Sequence, residues 1–197
     1  MMAGVEYLAG AERFPDGSIH DATLVRDSEI QGLPCAGGRS IVYFPNGRLR
    51  LAWLSHPAVI GDVSSAPGIV YLYESGGLLN ALLADPHQFS QVPVPAGERV
   101  TLDREGQLLE YSRQLAADQL VSGLPCSAEF RIWQYSCGRP SMVVLSAPSL
   151  IDGQEYARGS VLYMDVDGQV LDCQVVDLDS GRKYRQRVFG VYEAPFV

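Results

Sequence analysis

The sequence predicts an all-β protein, an antiparallel β-meander built from six hairpin repeats of about thirty residues each. Glycines recur along the chain in steps of 30, 30, 29, 32 and 30 residues. Apolar residues stand at constant distances from these glycines, and no window of eleven or more residues has the i, i+3, i+4, i+7 spacing of a helix. The six predicted turn glycines are Gly17, Gly47, Gly77, Gly106, Gly138 and Gly168.

Each repeat opens with a strand that runs into a turn. Residues 43–49 (Tyr-Phe-Pro-Asn-Gly-Arg-Leu) match residues 13–19 (Arg-Phe-Pro-Asp-Gly-Ser-Ile) almost position for position. Asn-Gly and Asp-Gly are favoured in tight hairpin turns because both central positions of a primed turn need a positive φ. The sequence therefore predicts a primed turn at Asn46 and Gly47.

After this turn, a second strand returns and leads through a Pro- or Asp-containing turn to a short third segment. That segment ends near an apolar residue such as Ile30 or Ile60, and a Gly- or Pro-rich link then starts the next repeat. So many strands do not form one flat sheet, and residues 69–73 and 160–164 are apolar on both faces. We therefore expect a sheet that is curled, closed into a barrel-like form, or folded into two layers.

The organisation of the repeats suggests one all-β domain over residues 1–197, with a finer duplication inside it. Gly-Leu-Pro-Cys at residues 32–35 recurs at residues 123–126, three repeats later. This recurrence predicts two pseudo-equivalent halves, residues 1–97 and 98–197, and the alternative is that a four-residue match is a coincidence. The units also resemble MORN-type hairpin repeats, which place a glycine at each turn, although the spacing here is longer and the usual motif is absent.

Composition and charge limit the function classes. Apolar residues make up 47% of the chain and charged residues 19%, as in a globular protein with a core. The net charge of −8 argues against nucleic acid and anionic membranes as partners. A basic segment holds Arg182, Lys183, Arg185 and Arg187, which we interpret as a solvated strand, the alternative being a patch for phosphate or an acidic partner. The lack of a membrane-spanning run or signal-peptide pattern predicts a cytoplasmic location.

No motif for catalysis, a cofactor or a metal is evident. The four cysteines lack zinc or redox spacing, which predicts free and mostly buried thiols. Residues 165–168 (Asp-Val-Asp-Gly) look like part of a calcium loop, but the acidic positions that such a loop requires hold Tyr163 and Gln174. His56 and His87 stand beside prolines without an evident third ligand. We therefore assign no catalytic, cofactor-binding or metal-binding residue.

These observations favour a non-enzymatic β-repeat scaffold or protein-interaction module, because repeat proteins present equivalent positions along an extended surface. The alternative is a small-ligand binder that uses a barrel interior or a cleft between the halves, and an enzyme is the least favoured class. Strand aromatics are the candidate binding surface, with core packing as the competing interpretation. Tyr43 and Tyr73 are predicted to occupy the same position in neighbouring repeats. The candidate residues are Tyr43, Tyr73, Trp53 and Trp133.

Overall fold

The structure is a computed structural model that describes residues 5–8 and 10–175. This part of the chain contains no helix, and therefore none that could cross a membrane. Its strands pair in antiparallel fashion throughout, which confirms the all-β hairpin meander. The strands are β1 (Glu12–Arg13), β2 (Ile19–Thr23), β3 (Ser28–Ile30), β4 (Leu33–Cys35), β5 (Ser40–Tyr43), β6 (Leu49–Leu54), β7 (Ala58–Ile60), β8 (Val63–Ser65), β9 (Gly68–Leu72), β10 (Leu78–Leu82), β11 (His87–Phe89), β12 (Val92–Val94), β13 (Arg99–Leu102), β14 (Leu108–Arg113), β15 (Gln119–Val121), β16 (Leu124–Cys126), β17 (Ile132–Tyr135), β18 (Pro140–Val144), β19 (Ser149–Ile151), β20 (Gln154–Tyr156), β21 (Ser160–Met164) and β22 (Val170–Val175).

The chain divides into two compact units, Met1–Tyr111 and Ser112–Val197. In the first unit the sheet order is β1-β2-β5-β6-β9-β10-β13-β14, and in the second it is β17-β18-β21-β22. Each order is linear, so in the described residues neither sheet closes on itself and the barrel-like form is excluded. The single domain 1–197 and the halves 1–97 and 98–197 stay predictions.

The turn between β5 and β6 is a type I turn followed by a one-residue bulge. The Phe44 N–H donates to the Arg48 carbonyl oxygen at 2.8 Å, and the Gly47 N–H donates to the Phe44 carbonyl oxygen at 2.9 Å. Gly47 has a φ of +79°, whereas Asn46 does not have a positive φ. The predicted primed turn is therefore wrong. The central residues of the turn are Pro45 and Asn46 instead of Asn46 and Gly47, and Pro45 is compatible with this position because its ring fixes a negative φ.

The same bulged turn recurs in every repeat, but in the third its glycine is Gly76 rather than Gly77. The Gly76 N–H donates to the Tyr73 carbonyl oxygen at 2.8 Å, and Gly76 has a φ of +93°. Gly77 lacks a positive φ and directly precedes β10. Tyr73 consequently corresponds to Phe44, so the predicted equivalence of Tyr43 and Tyr73 is wrong by one residue.

Five short hairpins, each made of two three-residue strands, follow the long strand pairs. In three of them both tip residues have a positive φ, the property that was predicted for Asn46 and Gly47; in the first hairpin these residues are Gln31 and Gly32, at 53° and 79°. Backbone hydrogen bonds attach the hairpins β3–β4, β7–β8 and β15–β16 to a long strand of the following repeat. The Ala36 N–H, for example, donates to the carbonyl oxygen of Trp53 on β6 at 2.7 Å. The complete repeat therefore has four strands, and the sequence prediction missed the last of them.

The hydrophobic core of the first unit lies between one face of the long-strand sheet and the short hairpins. From the sheet it takes residues such as Ile41 and Val70, and from the hairpins Ile30, Ile60 and Phe89, all buried. The strands β3 and β4 nevertheless belong to the same hydrogen-bonded sheet as β6, so the two-layer form stays a prediction. In the second unit, the strand β21 is buried along most of both faces, as its sequence indicated.

Candidate functional site

On the middle strands β5, β6, β9 and β10 of the first unit, most side chains on the face that points away from the core are apolar. These apolar side chains alternate along the strands with the buried core residues and are partly exposed. None of them belongs to the core cluster. An antiparallel sheet with one solvated face normally places polar residues there. We call this set the outer-face patch, and it consists of Val42, Leu51, Trp53, Ile69, Tyr71 and Leu82.

Strand register arranges the outer-face patch in rows across the sheet. Val42 is opposite Leu51, and Leu51 is opposite Tyr71, so three neighbouring strands form a continuous apolar row. In the next row, Trp53 is opposite Ile69. Directly opposed side chains have Cβ atoms about 4.5–5.5 Å apart and therefore contact each other. The patch is thus contiguous and extends over two repeats.

Polar groups border the outer-face patch on two sides. The guanidinium carbon of Arg39 lies 4.8 Å from the centre of the Trp53 ring, a cation–π contact. On the other side, Arg99 donates to the Asn80 side-chain oxygen at 2.6 Å, and the Asn80 amide donates to the Thr101 hydroxyl at 2.8 Å. An apolar centre with a polar, cation-bearing border is the arrangement found in protein interfaces.

The second unit has an outer-face cluster of its own. Met142 on β18 lies opposite both Trp133 and Tyr163 on the flanking strands. Val144 and Val161, also opposite each other, are buried in this cluster. Its centre is therefore less accessible than the outer-face patch of the first unit.

The four predicted surface aromatics have different locations. Tyr43 is 5% exposed and belongs to the core, so it is not a surface residue. Its hydroxyl is 3.2 Å from that of Tyr7, and burial is the main cause that raises its pKa far above the usual range for tyrosine. Tyr73 lies at a turn and donates its hydroxyl hydrogen to the Leu102 carbonyl oxygen at 2.7 Å. Trp53 and Trp133 lie on the outer faces of the first and second units, respectively.

Sequence reasoning missed Tyr71 and Tyr163, which are outer-face residues. Both stand five residues before a turn glycine, as do Val42 and Trp133, provided that Gly76 is taken as the glycine of the third repeat. Taking Gly77 instead moved the comparison one residue along β9 and therefore to the opposite face of the sheet. The spacing of five residues before the turn glycine was therefore present in the sequence, but the two consecutive glycines Gly76 and Gly77 made the turn glycine ambiguous.

In the described part of the chain, the thiols and histidines are not grouped into a metal site. Cys35 and Cys126 are buried, and burial raises the pKa of each thiol to about 11. Cys137 and Cys173 are exposed, so the prediction of mostly buried thiols holds for only two of the four. Over residues 5–8 and 10–175, no three or more His, Cys, Asp or Glu side chains are grouped to hold a metal ion.

The calcium-like segment 165–168 is a bulged turn of the sixth repeat. The Asp165 carboxylate accepts hydrogen bonds from the Asp167 and Gln169 N–H groups, both at 2.9 Å, so its own turn supplies its partners. The basic segment that holds Arg182, Lys183, Arg185 and Arg187 lies outside the described residues.

Comparisons with protein-family models, with curated proteins and with solved structures give no significant match to this chain. The candidate site is therefore argued from its geometry alone.

Proposed function

We propose that this protein is a non-enzymatic interaction module that binds a protein partner through the outer-face patch. The observation that carries the proposal is the apolar row Val42, Leu51 and Tyr71, which continues across three strands on the face opposite the core. Contiguous apolar surface that remains accessible is a common mark of protein–protein contact. Repeat architecture supports the proposal, because equivalent positions of successive units lie side by side along the sheet.

The residue types of the patch agree with an interface. Tryptophan, tyrosine and arginine are the residues that most often contribute large shares of binding energy. Trp53 stacked under Arg39, beside Ile69 and close to Tyr71, provides such a group. A partner that covers Trp53 would remove its remaining exposed surface from water while the exposed Arg39 stays at the border.

Charge defines the partner further. The chain carries a net charge of −8, which disfavours polyanions. At the patch itself, Arg39 and Arg99 disfavour a strongly basic surface. We therefore expect a partner with a largely neutral, apolar contact surface. A cytoplasmic location stays a prediction.

The test compares variants on the two sides of the first unit. The double variant Trp53→Ala/Tyr71→Ala removes the aromatic centre of the patch, whereas Val59→Ala removes a 67%-exposed side chain from a short hairpin and serves as the control. Quantitative affinity capture should retain a partner on the wild type and the control and lose it on the double variant, with all three folded at the temperature of the experiment by circular dichroism. Identical capture by the double variant would contradict the proposal.

Self-association is measured in the same experiment. Sedimentation velocity over a concentration series should show the same species for the wild type and the double variant. A wild-type dimer that dissociates in the double variant would show that the patch serves a second copy of the chain instead of a different protein.

Small-ligand binding remains the second candidate function. Its barrel-interior form is excluded because the sheet of each unit is open within the described residues. A groove at the turn edge of the first unit favours another form of it.

A further inference from the structure

A groove of about 570 Å³ opens at the turn edge of the first unit. It lies between the tips of the hairpins β3–β4 and β7–β8 and the turns that follow β5 and β9. This volume falls in the range of small-molecule sites in proteins. The apolar lining of the groove is the 67%-exposed side chain of Val59 together with a floor made of the edges of four buried core residues, Leu33, Leu49, Ile60 and Leu72.

Arg48 supplies the positive charge in the groove. Its guanidinium nitrogen Nη1 donates to the Ser75 carbonyl oxygen and so connects two successive turns. Both atoms of the neighbouring Gln31 side-chain amide already make hydrogen bonds. The nitrogen donates to the Gly47 carbonyl oxygen at 2.9 Å, and the oxygen accepts from the Leu49 N–H at 3.2 Å. The guanidinium is therefore the polar group of the groove side chains that is suited to an anionic ligand.

The repeat provides an internal comparison for Arg48. Arg139 stands at the equivalent position, directly after the turn glycine, and donates to the Val166 carbonyl oxygen at 3.0 Å in the next turn. It also lies 4.0 Å from the carboxylate of Asp167. Ser75 occupies the position of Asp167, one residue before the turn glycine. No carboxylate of the described residues pairs with Arg48, so its charge has no such counterpart.

We propose that this groove binds a small organic carboxylate with an apolar chain. The carboxylate takes the place that Asp167 has beside Arg139 and accepts hydrogen bonds from Arg48, and the chain lies on the leucine and isoleucine floor. Arginine suits this role because its planar guanidinium matches a carboxylate with two parallel N–H donors. The proposal does not depend on the outer-face patch, which lies on the other side of the sheet.

The glycine of the third turn adds to the geometry. A Cβ atom at Gly76 would lie 3.0 Å from the Arg48 Nη1, and Gly76 has a φ of +93°. A side chain at this position would come too close to the guanidinium. Because Gly76 has none, Arg48 can keep its hydrogen bond to the Ser75 carbonyl oxygen.

The experiment is a titration of the ¹⁵N-labelled full chain with hexanoate, followed by the amide resonances of Gly32, Gly61 and Gly76. Hexan-1-ol tests whether the carboxylate is needed, and inorganic phosphate tests whether the apolar chain is needed. We expect saturable shifts with hexanoate only. Arg48→Met should weaken binding by at least about tenfold, since a charge-assisted hydrogen-bond pair is lost.

Two further variants separate the proposal from a general structural effect. Ser75→Asp should weaken binding to the same extent while the protein remains folded, because it provides the internal carboxylate that Asp167 provides in the fifth and sixth repeats. Arg139→Met, a matched loss of charge, should leave hexanoate affinity unchanged. No saturable shift with hexanoate, equal shifts with hexan-1-ol or phosphate, or undiminished binding to Arg48→Met would overturn the proposal.

Discussion

Ser65 occupies in the second repeat the position that Cys35 occupies in the first. Both end the second strand of a short hairpin and both are 0% exposed. Cys35 lies opposite Leu54 on the long strand, and Ser65 lies opposite Leu83 in the same way. The difference is chemical, because the buried Ser65 hydroxyl has no hydrogen-bond partner among the described residues.

Replacing Ser65 with cysteine should stabilise the first unit. The change removes an unpaired buried hydroxyl, whose desolvation costs about 1–3 kcal/mol, and substitutes a thiol that the first repeat already accommodates. We expect the free energy of unfolding in urea to rise by about 1 kcal/mol. The reverse variant, Cys35→Ser, should lower it. If Ser65→Cys were neutral or destabilising, the hydroxyl must have a partner.

The two glycines of the third turn should respond differently to substitution. Gly76→Ala places a side chain at a φ of +93° and should cost about 1–2 kcal/mol of stability. Gly77→Ala should change stability by less than about 0.5 kcal/mol, because Gly77 has no positive φ and its nearest contact would be ordinary at 3.5 Å. Thermal and urea melts of both variants measure these two losses of stability. A larger loss for Gly77→Ala than for Gly76→Ala would show that Gly77 is the turn glycine.

Tyrosines on opposite faces of the sheet should differ in their contribution to stability. Tyr43→Ala removes a buried aromatic side chain and should cost about 3–5 kcal/mol. Tyr71→Ala removes a partly exposed one and should cost markedly less, since its ring keeps contact with water. Tyr43→Phe loses only the contact with the Tyr7 hydroxyl and should cost no more than about 0.5–1.5 kcal/mol. Equal losses for the two alanine variants would place both rings in the core.

Stability should decrease in alkaline solution because of the two buried thiols. Burial raises the pKa of Cys35 and Cys126 from 9.0 to about 11, so the unfolded chain ionises at lower pH than the folded one. The stabilisation is therefore complete below pH 9 and is lost as the pH rises through about 11. The double variant Cys35→Ala/Cys126→Ala should show a shallower decline over this interval in urea unfolding. An unchanged slope would mean that other groups cause it.

Most of the repeat was predictable because each turn needs a glycine that no other residue readily replaces. Gly47 illustrates this, since its φ of +79° is strained for other residues. The turn type was not predicted because Asn46-Gly47 is compatible both with a primed two-residue turn and with the end of a type I turn followed by a glycine bulge. The second short strand of each repeat escaped notice because three residues, such as Val63–Ser65, are too few to show an alternating pattern.

The candidate site was less predictable than the fold. Trp53 and Trp133 were identified because an aromatic residue in a strand is easily recognised. Tyr43 and Tyr71 could not be assigned to a face, since residues on both sides of β5 and β9 are apolar. Burial in the folded structure separates them, because Tyr43 is buried and Tyr71 is partly exposed. Arg48 in the groove could not be identified from the sequence, because its comparison with Arg139 depends on contacts between successive turns that only the folded structure shows.

Pairing within each repeat and between successive repeats is local in sequence, which affects how the protein folds and how its number of repeats could change. The strand pairings of each unit join residues no more than 21 positions apart, as for Asp21 and Val42. Such low contact order favours rapid folding for a β protein, because little loop-closure entropy is lost before contacts form. It also means that a tandem duplication or deletion of one whole repeat would leave the internal contacts of every other repeat intact.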